Sequence, residues 1–420
     1  MSKLRTAFIT SIVNVFEWYD YALFGLFAQI IGNKFFPSQD PAVSLLSAFL
    51  VFAVGYIIRP IGGLVFGVIG DKFGRKVVLS SSVICMSIPT FIVGILPSYE
   101  TIGFSSTVIM VLIRLLQGLA IGGALTGSVS FIVEHTEPKH KGFAASLPMA
   151  GICVGILLGS SVAYVIKRFL TEDQFNEWGW RIPFLLAILI MFVGLYIRKY
   201  ATETPEFNKN KLSNSIEQSP IKYVFNNHKL DILISIFLNA TGSILFYFQV
   251  IYIANYLKMY RGIEESFVDQ LINFSYILMA AAAILGGYLS DKFGRTKVFG
   301  LILLAIVFLV LPMTVYFING NLHEIICAHI VLSILAAFYI GVEPALQCEL
   351  YPSNIRNTAL SLAYNFATTI FGGTTPYVMQ KVIKNTASLH NGGMYILCCG
   401  IASLIALKLY ANRLVTNKVL

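Results

Sequence analysis

The stretch Phe16-Glu17-Trp18-Tyr19-Asp20 sets two carboxylates inside a run that is otherwise apolar from about residue 7 to residue 31. A carboxylate near the middle of a bilayer costs roughly 2.5–3.5 kcal/mol on insertion scales, so charges held there mark solute or proton pathways. Their three-residue spacing puts Glu17 and Asp20 on one helix face, where both are expected to look into one cavity. Two bases answer them. At a rise of about 1.5 Å per residue, Glu17, twelve residues past Arg5, lies roughly 18 Å above the cytoplasmic end. Arg59, twelve residues before Asp71, comes to the same depth, which makes an ion pair or a shared watery cavity geometrically possible. Arg114 lies a little above them, roughly 12 Å from the outer end of its span, and Asp20 is its expected partner. The plain alternative is that these charges only lock helices together. An acid that gains and loses a proton in transit is what a proton carrier needs, and Glu17 and Asp20 are the candidates.

The elements that must hold these residues follow from composition. With 56% hydrophobic and 12% charged residues and a mean hydropathy of +0.75, the chain is far more apolar than a soluble protein. Apolar runs long enough to span a bilayer lie near 6–32, 42–69, 77–97, 105–133, 142–166, 181–199, 230–257, 267–289, 298–318, 324–350, 357–383 and 392–410. Twelve helices in 420 residues leave no room for an appended catalytic domain. An all-α membrane protein is therefore expected, with its function inside the bundle. No nucleophile, base or metal cluster has workable spacing for an enzyme. The net charge of +9 is spread through short loops and does not form a nucleic-acid patch. With the N-terminus in the cytoplasm, about twenty Lys and Arg fall on that side and about eight on the other, as the positive-inside rule requires, and the even helix count returns the C-terminus to the cytoplasm. The basic, apolar N-terminus lacks a cleavage site and reads as an uncleaved first helix. Cys85, Cys153, Cys327, Cys348, Cys398 and Cys399 all fall in expected spans and read as small apolar side chains.

One string occurs twice. GVIGDKFGRKVVL follows the second run and GYLSDKFGRTKVF the eighth, with Asp71 and Asp291 at equivalent places 220 residues apart. A weaker echo, VEHTEPKHKG and CELYPSNIRN, follows runs four and ten and carries Glu134 and Glu349. Two six-helix repeats are expected, residues 1–199 and 230–420, joined by a polar cytoplasmic linker at 200–229. The glycines of the motif allow a tight turn and close helix approach, and its acid can face a neighbouring helix N-terminus. Contacts among Asp71, Arg75, Glu134, Asp291, Arg295, Glu349 and Arg356 are the expected gates, made in one state and broken in another.

The paired GDKFGRK and SDKFGRT, with RLLQGLAIGG, resemble the signatures of the major facilitator superfamily. Within it, FEWYDYALFG, IIRPIGGLVFGVIGDKFGR, WGWRIPFLL, ETPEF, ELYPSNIR and the LAYN and FGGTTP pieces resemble the metabolite:proton symporters, most of all the proline/betaine transporters. The resemblance covers nearly the whole chain. It implies secondary active uptake of a small solute with a proton by alternating access, in a bacterial inner membrane, without a cofactor or metal, by a monomer surrounded by lipid. In similar transporters the arginine of the RLLQG motif, here Arg114, is linked to proton coupling. Two departures stand out: many relatives carry Gly-Gly-Glu where this chain has Gly122, Gly123 and Ala124, and Glu343 stands where glutamine is common. Glu343, roughly 20 Å above Arg356 and beside Pro344, is therefore expected to replace the missing acid in proton coupling.

A zwitterion such as proline or betaine needs a cation for its carboxylate, for which Arg59 or Arg114 is the candidate, and aromatic faces for its ammonium. Trp18, Tyr21, Tyr247 and Tyr364 are the aromatic candidates, and Gln249 and Asn365 the polar ones. His329 reads as a satisfied interhelical histidine. Each proton moved with the solute across 100 mV supplies about 2.3 kcal/mol, enough for roughly fiftyfold accumulation of a neutral zwitterion. The competing expectations are a dicarboxylate or other organic-acid symporter, and a transporter-shaped receptor that moves nothing.

Overall fold

The structure is a computed structural model that describes residues 3–386 and 388–419. Twelve transmembrane segments run in chain order. The first six are α1 (Lys3–Leu26, continued by Ala28–Phe35), α2 (Pro41–Phe73), α3 (Arg75–Ile95), α4 (Phe104–Glu134), α5 (Pro138–Phe169) and α6 (Gly179–Tyr200). After two short linker helices, Pro205–Leu212 and Pro220–Asn227, come α7 (Lys229–Met259), α8 (Glu265–Phe293), α9 (Arg295–Asn319) and α10 (Leu322–Leu350). The last two are α11 (Arg356–Ala367, continued through Thr368–Gly372 and Thr375–Thr386) and α12 (His390–Val419).

Ten of these segments are, among the described residues, long and apolar enough to cross a membrane on their own. The two that fall short, α1 and α11, are both interrupted: α1 at Phe27 and α11 by a wide π turn over Thr368–Gly372. A second wide turn, Phe248–Tyr252, interrupts α7. Sequence periodicity does not reveal these breaks, because spans that are apolar nearly all round offer no stripe for an extra residue to displace. Such turns free backbone groups and side chains toward a cavity and recur at functional sites.

The packing explains which helices meet in the middle. α1 packs on α5, α2 on α4, and α3 on α4 and α6; in the second group α8 packs on α10, α9 on α10 and α12, and α7 on α12. The two groups join chiefly through α5 with α8 and α2 with α11. Glycines make the first of these seams close: a Cβ on Gly287 would lie 2.5 Å from the Gly142 carbonyl oxygen, and one on Gly142 would lie 2.3 Å from Ser290 Oγ. The outer faces carry exposed Phe8, Leu50, Ile57, Phe192 and Phe308, the surface a protein presents to lipid. The six cysteines are free, with Cys85, Cys327 and Cys398 on the outside of the bundle and Cys153 and Cys348 in its packing.

Candidate functional site

Three groups of polar residues stand out of this apolar bundle, and they occupy separate places. The first is closed inside the helices of the first group. Arg114 Nη1 lies 3.6 Å from Asp20 Oδ2, and Thr90 Oγ1 and Gln117 Nε2 donate to Asp20 Oδ1 at 2.7 and 3.1 Å. The Arg114 guanidinium lies flat on Phe24, with Cζ 3.4 Å from the ring centroid. A cation so placed exchanges water for a ring face and a carboxylate, an arrangement worth more away from solvent. Asp20 and Arg114 thus form the expected pair. Gln117, one turn past Arg114, and Thr90 were not singled out in the sequence; Gln117 stands in the RLLQG string and shares the arginine's face.

Glu17 lies near enough to Arg59 for their charges to act on each other but is not among the residues lining the central cavity. It shares a helix face with Asp20, as the spacing predicts, but that face looks into its own group of helices. It borders a small hollow of about 10 Å³ with Phe16, Ser82, Met86 and Ile121, room for about one water. Its Oε2 has no hydrogen-bond partner, and no ion pair joins it to Arg59 among the described residues. Each helix step turns the side chain by about 100°, so Trp18 and Tyr21, not Glu17 and Asp20, face the centre. One shared vestibule for Glu17, Asp20, Arg59 and Arg114 is not what the helices build.

The second group surrounds that centre. A cavity of about 40 Å³ is lined by Trp18 from α1, Met149 from α5, Asn239, Phe246 and Tyr247 from α7, Tyr339 and Glu343 from α10, and Tyr364 and Thr368 from α11. A second hollow of about 20 Å³ shares Met149, Glu343 and Tyr364 with it and adds Thr126 and Gln347. The rings form a continuous wall: Trp18 meets Phe246 edge-on at 5.5 Å, Tyr21 lies 5.1 Å from Trp18 and 5.5 Å from Tyr56, and the Tyr56 and Tyr247 hydroxyls bond across the two groups at 2.7 Å. Arg59 sits behind this wall, its Cζ 5.2 Å from the Tyr56 ring and its Nε donating to Asn365 Oδ1 at 3.4 Å.

Of the expected binding residues, Trp18, Tyr247 and Tyr364 line the cavity and Tyr21 extends its wall. Asn365 does not offer its amide to a solute: Nδ2 donates to the carbonyls of Gly122 at 2.7 Å and Ser361 at 2.8 Å, so it ties α11 to α4 and supports Arg59. Gln249 is buried in the wide turn of α7, outside the cavity. Glu343, expected from its place in α10, is buried in the cavity wall with Gln347 Nε2 donating to its Oε1. His329, expected to be satisfied, is not: neither ring nitrogen has a hydrogen-bond partner among the described residues.

The third group closes one end of the bundle, where the two repeated motifs lie. Gly74 and Gly294, at φ of +107° and +94°, make the turns from α2 to α3 and from α8 to α9 in a backbone region that L side chains avoid. Each turn sets an aspartate against the start of a helix in the other group. Asp71 accepts from the backbone N–H groups of Asn357 and Thr358 at 3.1 and 2.8 Å, and Asp291 from those of Gly142 and Phe143 at 2.8 Å each. These are N–H groups of a first helical turn, which lack partners within their own helix and favour negative charge.

The arginines complete the clasps. Arg75 reaches Glu134 at 3.0 Å and the Ser353 carbonyl across the seam, and Arg356 reaches the same Glu134 oxygen at 2.8 Å. Arg295 pairs with Glu349 and Asp291 and donates to the Pro138 carbonyl at 2.9 Å. Linker residues that the sequence did not single out cover the first clasp. Thr204 Oγ1 donates to Glu134 Oε2 at 2.6 Å, Glu203 accepts the Arg75 and Lys76 N–H groups at 3.1 and 3.2 Å, and Glu206 binds Arg356 at 2.6 Å. Burial alone would raise the Glu206 carboxyl; Arg356, with Lys141 and Arg75, outweighs it and holds the group below its ordinary range.

Comparison with known proteins fits this arrangement. The Major Facilitator Superfamily model matches residues 10–408. The chain is 32% identical to a protein named proline/betaine transporter from Salmonella typhimurium, over 98% of this chain and 85% of that one. It is 31% identical to the glycine betaine/proline/ectoine/pipecolic acid transporter OusA of Dickeya dadantii, over 98% and 84%. A solved structure of the proton:xylose symporter XylE with a bound bromodeoxyglucose superposes with a TM-score of 0.75 at 16% identity, over 96% of this chain and 94% of that one. The match spans both groups of helices and the turns between them, and the chain is a multi-pass membrane transporter of the major facilitator superfamily.

Proposed function

We propose that the protein takes up a small zwitterionic osmolyte or amino acid, of the proline/betaine kind, together with a proton. The observation that carries this reading is the central cavity: an aromatic wall around a single carboxylate, with a guanidinium behind it, between the two groups of helices. Aromatic faces and a carboxylate suit the cationic end of a zwitterion, and Arg59 gives positive potential for the other end. The names of the relatives point the same way. An organic dianion fits less well, since the lining residues include a carboxylic acid, Glu343, that would meet it.

The proton is assigned to the Asp20–Arg114 pair, with Glu17 one turn away, because a charge pair held by Thr90 and Gln117 changes its hold on three helices when Asp20 is protonated. Residues 1–199 and 230–420 rock as two units about the linker at 200–229, and the two clasps, with the motif end facing the cytoplasm, form and break as they do. The chain works as a monomer in the bacterial inner membrane, in contact with lipid, with both termini in the cytoplasm.

Purified protein in liposomes, given an imposed pH gradient and labelled proline, betaine or 2-oxoglutarate, tests this. Accumulation of a zwitterion but not of 2-oxoglutarate is the expected result. Accumulation of 2-oxoglutarate alone, or of nothing, would reject it in favour of an organic-acid symporter or a silent receptor.

A further inference from the structure

Of the intramembrane acids described above, Glu17 and Glu343 have no ion pair among the described residues, and of these two it is Glu343 that borders the central cavity. Asp20 has Arg114, and Arg59 has the Tyr56 ring and Asn365. Glu343 is buried, yet among the described residues it has no ion pair, and its hydrogen-bond partner is the neutral amide of Gln347, which also reaches the Ser235 carbonyl at 3.3 Å. A buried carboxylate without a counter-charge is costly, and it is retained where a ligand supplies what the protein withholds.

The same cavity holds polar groups of the opposite sense. Trp18 Nε1 and Asn239 Nδ2 are buried donors with no hydrogen-bond partner among the described residues, and both residues line the cavity with Glu343. Buried donors are almost always satisfied, so a pair left open beside an open acid describes a ligand in outline. That ligand has an acceptor, which meets Trp18 and Asn239, and a donor, which meets Glu343. We propose that Glu343 is the counter-ion of a substrate ammonium that carries N–H, with the substrate carboxylate received by Trp18 and Asn239. This deepens the zwitterion reading above and rests on it. It moves Glu343 from proton coupling to substrate recognition, because a carboxylate that must be charged to hold an ammonium cannot carry the symported proton at the same moment.

The consequence is selectivity. An amino-acid ammonium, primary or secondary, fills the Glu343 oxygens with hydrogen bonds. A quaternary ammonium buries the carboxylate and gives it none. Sites built to bond a substrate N–H discriminate strongly against analogues that lack it.

The test compares uptake of L-proline, N-methylproline and N,N-dimethylproline by the full-length protein in liposomes. These share ring and carboxylate and carry two, one and no N–H on the charged nitrogen. Wild type is expected to prefer proline over the dimethyl compound by about tenfold or more in kcat/KM, with the monomethyl compound between. Glu343→Gln, nearly isosteric, is expected to bring that ratio to within about threefold of one, while Glu343→Asp, which keeps the charge, keeps the preference. A wild-type ratio near one, or a ratio unchanged in Glu343→Gln, would overturn the assignment. Failure of the wild type to take up any of the three would reject the zwitterion reading itself, and this assignment with it.

Discussion

The two groups of helices carry the same motif at one end of the molecule and treat it differently. In the first clasp Arg75 and Glu134 have fully buried side chains, a second arginine converges on the same glutamate, and the linker helix closes over them through Thr204 and Glu206. In the second, Arg295 is 16% and Glu349 31% exposed; Arg295 also meets Asp291 and the Pro138 carbonyl, and Tyr410 donates to Glu349 at 2.9 Å. The contrast repeats in the membrane, where Asp20 of the first group is paired with Arg114 and Glu343 of the second has no ion pair among the described residues. Burial decides what each charge is worth: paired charges away from water are costly to separate, whereas exposed pairs contribute little.

The sharpest way to break the comparison is to delete one intramembrane charge from each group. Arg114→Met strands Asp20 in the packing and is expected to cost about 3–5 kcal/mol of stability, read as a large fall in the unfolding midpoint in detergent. Glu343→Met strands nothing, and its midpoint is expected to hold or rise. A fall of equal size in both would show that Glu343 has a structural partner after all.

The clasps come next. Glu134→Gln weakens contacts to Arg75 and Arg356 at once and is expected to open the motif end, raising the labelling of a cysteine placed along α5 near Met149. Glu349→Gln, at the more exposed clasp, is expected to change stability by no more than about 1 kcal/mol and labelling little. Equal labelling of the two variants would remove the asymmetry. The smallest effect concerns Glu206. Its carboxyl is held below its ordinary range, so its contribution is full above that range and is lost as pH falls through the lowered value. Fluorescence of a probe on the linker helix is therefore expected to stay flat through neutral and mildly acidic pH and to change only once pH falls below the ordinary glutamate range. A transition near neutrality would contradict the Arg356 contact.

Much of this was legible in the residues. The apolar runs, the repeated aspartate turns and the pairing of Asp20 with Arg114 follow from length, repetition and helical rise, which are local properties. Which way a face points is not local. Glu17 and Asp20 do share a face, but only the packing of α1 against α3, α4 and α5 turns that face away from the cavity and Trp18 toward it. The linker contacts of Glu203, Thr204 and Glu206 lay inside ETPEF, yet nothing in that string says which arginine it meets, since its partner Arg356 is 150 residues further on. Asn239 left only a polar group in an apolar run, and the cavity it lines is assembled from five separate helices.

The account depends on the proton and the solute being held at two separate stations, Asp20 with Arg114 inside the first group and Glu343 with the aromatic wall between the groups. Liposomes loaded with unlabelled proline allow exchange with labelled proline to be followed without a pH gradient and accumulation to be followed with one, in the same preparation. Asp20→Asn is predicted to lose gradient-driven accumulation while still exchanging. Accumulation that survives in Asp20→Asn, or the same separation of exchange from accumulation appearing in Glu343→Gln instead, would contradict it.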